Sequence, residues 1–193
     1  MARAVGFPRR GSALTRRVAA SLFRLIGWRF EGAMPELPKF VLIVAPHTSN
    51  WDFPVGLIAK FAIGFRATFL AKHTLFTWPM GPILRWLGGE PVDRTARHGV
   101  VSQVVARFAA EERYILVIAP EGTRRGAPWK MGFYHIARGA GVPILPVAFD
   151  WARRTIRFHP PMHPTDDEAA DRAALRACFS AAMARHPDDY RDP

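Results

Sequence analysis

The chain has 193 residues, 49% hydrophobic and 22% charged, the balance of one globular domain with a sizeable core. Against 16 Asp and Glu stand 27 Lys and Arg, a formal net charge of +11 that calls for a polyanionic neighbour or substrate. The single cysteine, Cys178, excludes an intramolecular disulfide, and Arg or Lys interrupts every apolar stretch before it reaches bilayer-spanning length.

Residues 1–11 read as a disordered basic arm, rich in arginine and without an acid. Its charges lead into a helix with no small-residue cleavage site, so no signal peptide is expected. That helix runs from Thr15 to about Gly27, with apolar stripes Val18, Leu22, Leu25 and Ala19, Phe23, Ile26. Together with the connector up to Pro38 it forms a first segment, 1–38, ahead of an α/β domain over 39–193.

The apolar run 40–45 predicts a buried strand, and 52–63 a helix. Residues 67–71 predict a second strand, 83–87 a short helix ended by Gly88-Gly89, and 90–94 a short strand. An amphipathic helix follows over 96–111, then the strongest buried strand, 114–119. Further on come a helix at 133–140, strands at 143–149 and 155–158, and a final helix over about 166–186. Such alternation predicts an α/β fold, one domain with a mostly parallel sheet covered by helices.

Two loops follow strand ends. His47-Thr48-Ser49-Asn50-Trp51-Asp52 lies on the first strand-to-helix turn, the usual place for chemistry in open α/β sheets. Asp52 can hold one imidazole nitrogen of His47 and leave the other free to accept a proton. Thr48, Ser49 and Asn50 are each suited to cap the following helix. The second loop, Glu121-Gly122-Thr123-Arg124-Arg125, follows strand 114–119. Arg124 carries a guanidinium fork matched to phosphate, Gly122 allows close backbone approach, and Thr123 offers a hydroxyl. If the two strands run parallel, both loops open on one sheet edge.

These residues resemble the glycerolipid acyltransferases of the lysophosphatidic acid acyltransferase type. The resemblance rests on His47-x4-Asp52 and Pro120-Glu121-Gly122-Thr123-Arg124. It extends to Lys72 through Gly81 with Val92-Asp93-Arg94, and to Val142 through Val147. It implies transfer of a fatty acyl group from an acyl thioester, on coenzyme A or acyl carrier protein, to the hydroxyl of a lysophospholipid. The acceptor it points to first is 1-acylglycerol-3-phosphate. His47 would be the general base, oriented by Asp52. Substrate binding would fall to Lys72, Arg94, Glu121, Gly122, Thr123 and Arg124. No metal and no resident cofactor is implied.

The expected location is the cytoplasmic face of a membrane, held peripherally at an anionic surface. Residues 15–30 are the candidate contact, with Leu22, Phe23, Leu25, Ile26, Trp28 and Phe30 flanked by arginines. The same apolar face could instead cover the sheet. The rival class is a binding protein on the same fold, either a catalytically silent lipid binder or a nucleic-acid binder. No nucleic-acid recognition module is visible. Gly-x-Ser-x-Gly, phosphate-loop and dinucleotide fingerprints are also absent.

Overall fold

A computed structural model describes residues 6–92, 97–124 and 127–191. Helix α1 (Ala13–Leu25) leads into strand β1 (Arg29–Glu31), which the sequence reading did not anticipate. Then follow β2 (Lys39–Ala45), α2 (Asp52–Ile63), β3 (Thr68–Lys72), α3 (Met80–Trp86) and β4 (Gly89–Val92). The second half holds α4 (Arg97–Ala110), β5 (Tyr114–Ile118), α5 (Gly132–Ala140), β6 (Ile144–Asp150), β7 (Thr155–Phe158) and α6 (Glu168–Arg176).

All seven strands join one sheet, ordered β1-β7-β6-β2-β5-β3-β4. Strands β2 to β6 pair in parallel, β7 runs antiparallel to β6, and β1 lies parallel to β7. The expected single α/β domain with a mostly parallel sheet is therefore present. Alternation along β2 splits the core into two layers, because successive strand side chains point to opposite faces. Phe40 and Leu42 pack with Phe23 of α1 and with Val55 and Ala59 of α2. Val41, Ile43 and Ala45 pack with Val104 and Phe108 of α4, Phe133 of α5 and Leu175 of α6.

The N-terminal segment departs from expectation. Residues 6–11 are docked rather than an independent arm. Phe7 is buried, Arg9 forms a β-bridge with Phe65, and the Arg66 N–H donates to the Pro8 carbonyl at 2.7 Å. Helix α1 starts two residues earlier than predicted, because Ser12 caps it by accepting from the Thr15 N–H at 3.1 Å. Its inner face, Ala19 and Phe23, covers the sheet together with Trp28. Its outer face leaves Leu14, Val18, Leu22 and Leu25 exposed at helical spacing. Of the residues expected at a membrane, Phe23 and Trp28 are thus core, while Leu22 and Leu25 face outward beside Leu14 and Val18. With β1 in the sheet and α1 in the core, the described residues before and after position 39 share one hydrophobic interior.

The final helix is shorter than predicted and ends at Arg176. Phe179 turns inward beside Trp129, with ring centroids 5.5 Å apart, and this pulls the chain off the helical path. Residues 181–189 then continue as two short 3-10 turns. They cross the edge of the sheet where β2, β5 and β6 end: the Trp151 N–H donates to the Met183 carbonyl at 2.9 Å.

Candidate active site

Because β2 and β5 are adjacent and parallel, the loops after their C-terminal ends meet on one edge. The His47 Nδ1–H donates to Asp52 Oδ2 at 2.9 Å. That direction follows from the surroundings of the carboxylate. The Ser49 backbone N–H donates to the same Oδ2 at 3.0 Å, and the Trp151 indole N–H donates to Oδ1 at 2.8 Å. A carboxylate already receiving these two donors acts as acceptor to the imidazole too, so the proton sits on Nδ1 and Nε2 is left as the basic nitrogen. Asp52 is buried, at 3% exposure, whereas the His47 side chain keeps 22%. The imidazole is accessible and its carboxylate partner is not.

The loop forms differently from the expected helix cap. No side chain caps α2. Ser49 Oγ instead accepts from the Trp51 N–H at 3.2 Å, within the turn. Thr48 Oγ1 accepts from the His186 N–H at 3.2 Å. Both hydroxyls are spent on holding the turn and the late segment that crosses it.

Glu121, expected among substrate-binding residues, is turned inward. It is 4% exposed, and its Oε1 accepts from the His47 backbone N–H at 3.1 Å. Burial pushes its carboxyl pKa up, opposed in part by the backbone donors. Its geometric part is to fix the backbone of His47. The next residue, Gly122, has a positive φ of 64°, so the chain reverses there and carries Thr123 and Arg124 back to the surface.

Thr123 and Arg124 line an open groove of about 630 Å³. Thr48 to Trp51 form its other wall, and Arg185, His186 and Asp189 complete it. The Arg185 guanidinium lies 4.6 Å from the Trp151 ring centroid and 5.6 Å from that of Trp51. A cation over two indoles is fixed by both ring faces. Lys72 ends β3 at the same sheet edge and is exposed, but it does not line the groove. Arg94 lies outside the described residues.

Two contributors escaped the sequence reading. Trp151 directly follows β6, a strand parallel to β2, so a donor placed just past that strand end was a readable signal. Arg185 gave none, because an unbroken helix over 166–186 was expected and the turn at Phe179 redirects the chain.

Comparison with known proteins agrees with this geometry. The Acyltransferase family profile matches residues 33–150, more than half of the chain and all of both loops. A 1-acyl-sn-glycerol-3-phosphate acyltransferase of Haemophilus influenzae is 32% identical over 137 residues, covering 65% of this chain and 55% of its own. The enzyme of that name from Escherichia coli is 34% identical over 126 residues, covering 61% and 50%. The chain thus spans about half the length of these curated relatives. The crystal structure of the 1-acyl-sn-glycerophosphate (LPA) acyltransferase PlsC from Thermotoga maritima superposes with a TM-score of 0.63 at 19% identity. It covers 86% of this chain and 75% of that one, and shares the fold. By the profile match, which takes in His47, Asp52 and the Glu121–Arg124 loop, this chain belongs to the acyltransferase family.

Proposed function

We propose that the protein transfers an acyl group from a thioester to the hydroxyl of a lysophospholipid, with 1-acylglycerol-3-phosphate as the acceptor. The observation that carries this reading is the His47–Asp52 pair, held at 2.9 Å beside a groove lined by Arg124 and Arg185. The relatives' names supply the acceptor. His47 Nε2 takes the proton of the acceptor hydroxyl as its oxygen bonds to the thioester carbonyl carbon. The carbon–sulfur bond then breaks, and the imidazolium returns the proton to the departing sulfur. Asp52 stabilises the imidazolium between these steps. Arg124 and Arg185 hold the acceptor phosphate, and no residue forms an acyl-enzyme.

Incubation with a panel of lysophospholipid acceptors and with acyl-coenzyme A or acyl carrier protein, read by mass spectrometry, tests this. Wild type should yield a diacylated phosphate lipid. His47→Ala should lose about 10²–10⁴-fold in turnover without loss of melting temperature. Arg185→Gln should chiefly raise the acceptor's KM. Turnover in folded His47→Ala would end the mechanism, and a donor-only effect of Arg185→Gln would move that residue to the donor site.

The substrates are amphiphiles, so the groove must meet a bilayer. Among the described residues no helix is long and apolar enough to cross one. In-plane contact is favoured instead. Leu14, Val18, Leu22 and Leu25 form an exposed stripe on α1, with Arg17 and Arg24 also exposed on the same helix. Trp78, Met80 and Ile83 are exposed at and within α3. These helices lie on one face of the sheet, with α2. Leu22→Ser/Leu25→Ser should reduce co-sedimentation with anionic liposomes and leave melting unchanged, since both side chains already face water. Undiminished binding would remove α1 from the contact.

A further inference from the structure

A further cleft lies at the other end of the strands. It is a pocket of about 440 Å³ at the N-terminal ends of β3, β4 and β5, lined by Thr68, Gly89 and Tyr114 among others. The His47 loop sits past the C-terminal ends, so this pocket is outside the reacting groove. Six arginines line it, Arg9, Arg10, Arg66, Arg85, Arg107 and Arg113, against two carboxylates, Glu90 and Glu111.

The ion pairs leave most of that charge unmatched. Arg107 pairs with Glu90 at 2.8 Å, and Arg9 turns to Glu36 at 3.1 Å. Among the described residues, Arg10, Arg66, Arg85 and Arg113 have no carboxylate partner. Behind the wall lies a further cation. Lys60 is 6% exposed, and its ammonium donates to the carbonyls of Ala67, at 3.2 Å, and Leu87. Gly88 closes the wall in front of it. A Cβ there would stand 2.3 Å from the Ala67 carbonyl oxygen, so only glycine lets the strands close this tightly. Burial, with the charges of Arg10 and Arg66 acting in the same direction, lowers the Lys60 pKa from 10.5 to about 8. Like charges gathered in one cleft repel one another, and an anion in the pocket relieves that repulsion.

We propose that this pocket binds the phosphate of a lipid headgroup, with Arg10, Arg66, Arg85 and Arg113 as its cations. A lipid source is favoured by the rim. Trp86 lines the pocket, is 62% exposed, and carries the Arg10 guanidinium 4.7 Å from its ring centroid. It also ends α3, whose exposed Met80 and Ile83 offer a path for acyl chains. This inference rests on charge and position and is independent of the acyl-transfer chemistry.

The test uses the full chain and the double variant Arg66→Gln/Arg113→Gln, two exposed positions away from the catalytic edge. Melting is measured in inorganic phosphate and in chloride at equal ionic strength. Flotation is measured on phosphatidylcholine vesicles containing either phosphatidic acid or phosphatidylglycerol at matched charge. Wild type should melt higher in phosphate and prefer phosphatidic acid, and the double variant should lose the phosphate shift and bind those vesicles roughly tenfold more weakly. Acyl transfer to a soluble short-chain acceptor should stay the same in both, which separates this site from the reaction. If the double variant melts low in chloride, Arg66→Lys/Arg113→Lys, which keeps the charge and loses the fork, is compared instead. A phosphate shift lost in the variant, with unchanged flotation, would uphold the phosphate site and overturn the lipid source. No phosphate shift and equal flotation would overturn the site itself.

Discussion

The two ends of the sheet solve opposite problems with the same kinds of residue. At the C-terminal end, the carboxylate beside His47 is met on both oxygens: Asp52 has His47, Ser49 and Trp151, while Glu121 Oε1 holds the His47 backbone. At the N-terminal end, arginines crowd a pocket with few carboxylates to meet them. The first arrangement is preorganised, with its donors already aimed before substrate arrives. The second holds its charges in readiness for an anion. One fold separates a place for chemistry from a place for holding by the length of its strands.

The sharpest way to break this comparison is Asp52→Asn. The amide presents N–H groups where the carboxylate accepted, so His47 is driven to the wrong tautomer and the imidazolium loses its counter-charge. Turnover should fall on the order of 10³-fold, with KM for the acceptor little altered. A loss below tenfold would mean that the C-terminal end is not the preorganised site described.

A smaller effect is expected from Trp151→Phe. The ring beneath Arg185 stays, and only the indole N–H to Asp52 goes. A hydrogen bond to a charged group is worth about 1.5–3 kcal/mol, so kcat should drop by at least about tenfold if most of it is expressed in orienting Asp52. If KM for the acceptor moves instead, Trp151 acts through Arg185 rather than through Asp52.

The smallest effect on turnover belongs to the other end, where the readout is stability against pH. Lys60 is lowered from 10.5 to about 8 in the folded chain. Between those values the unfolded chain binds the extra proton, so stability rises with pH through that window. Burial raises Tyr114 from 10.0 to about 12, so above pH 10 the unfolded chain loses that proton first and stability falls. Denaturant titrations should show a rise from about pH 8 and a decline above pH 10. Lys60→Met should flatten the rise and leave acyl transfer at neutral pH near wild type. A rise that persists in Lys60→Met would place its origin elsewhere.

Much of this was legible in the chain. Apolar runs of strand length marked β2, β5 and β6, and the two strand-end loops implied a shared edge once the strands were taken as parallel. The His47–Asp52 contact followed from a spacing of five residues across a turn, which local geometry can enforce. What stayed hidden depends on contacts between distant segments. Strand β1 is three residues long and shows no apolar run; it is a strand because Arg29 to Glu31 find partners on β7. Glu121 looked like a ligand beside Arg124, yet its direction was decided by a backbone donor 74 residues away. On α1, the pattern showed two apolar stripes but could not say which one the sheet would claim.

The segment over residues 181–189 bears on when the site comes into being. His186 meets Thr48 across 138 positions of chain, while His47 and Asp52 find each other across five. During synthesis His47 and Asp52 are both present once α2 has been made, but the groove beside them still lacks a wall. Trp151 then braces Asp52, and Arg185 arrives later still. A chain halted after α6 would carry His47 and Asp52 with neither Arg185 nor His186 beside them. On the proposed function, the chain is thus made with its proton acceptor first and its last phosphate-holding cation near the end.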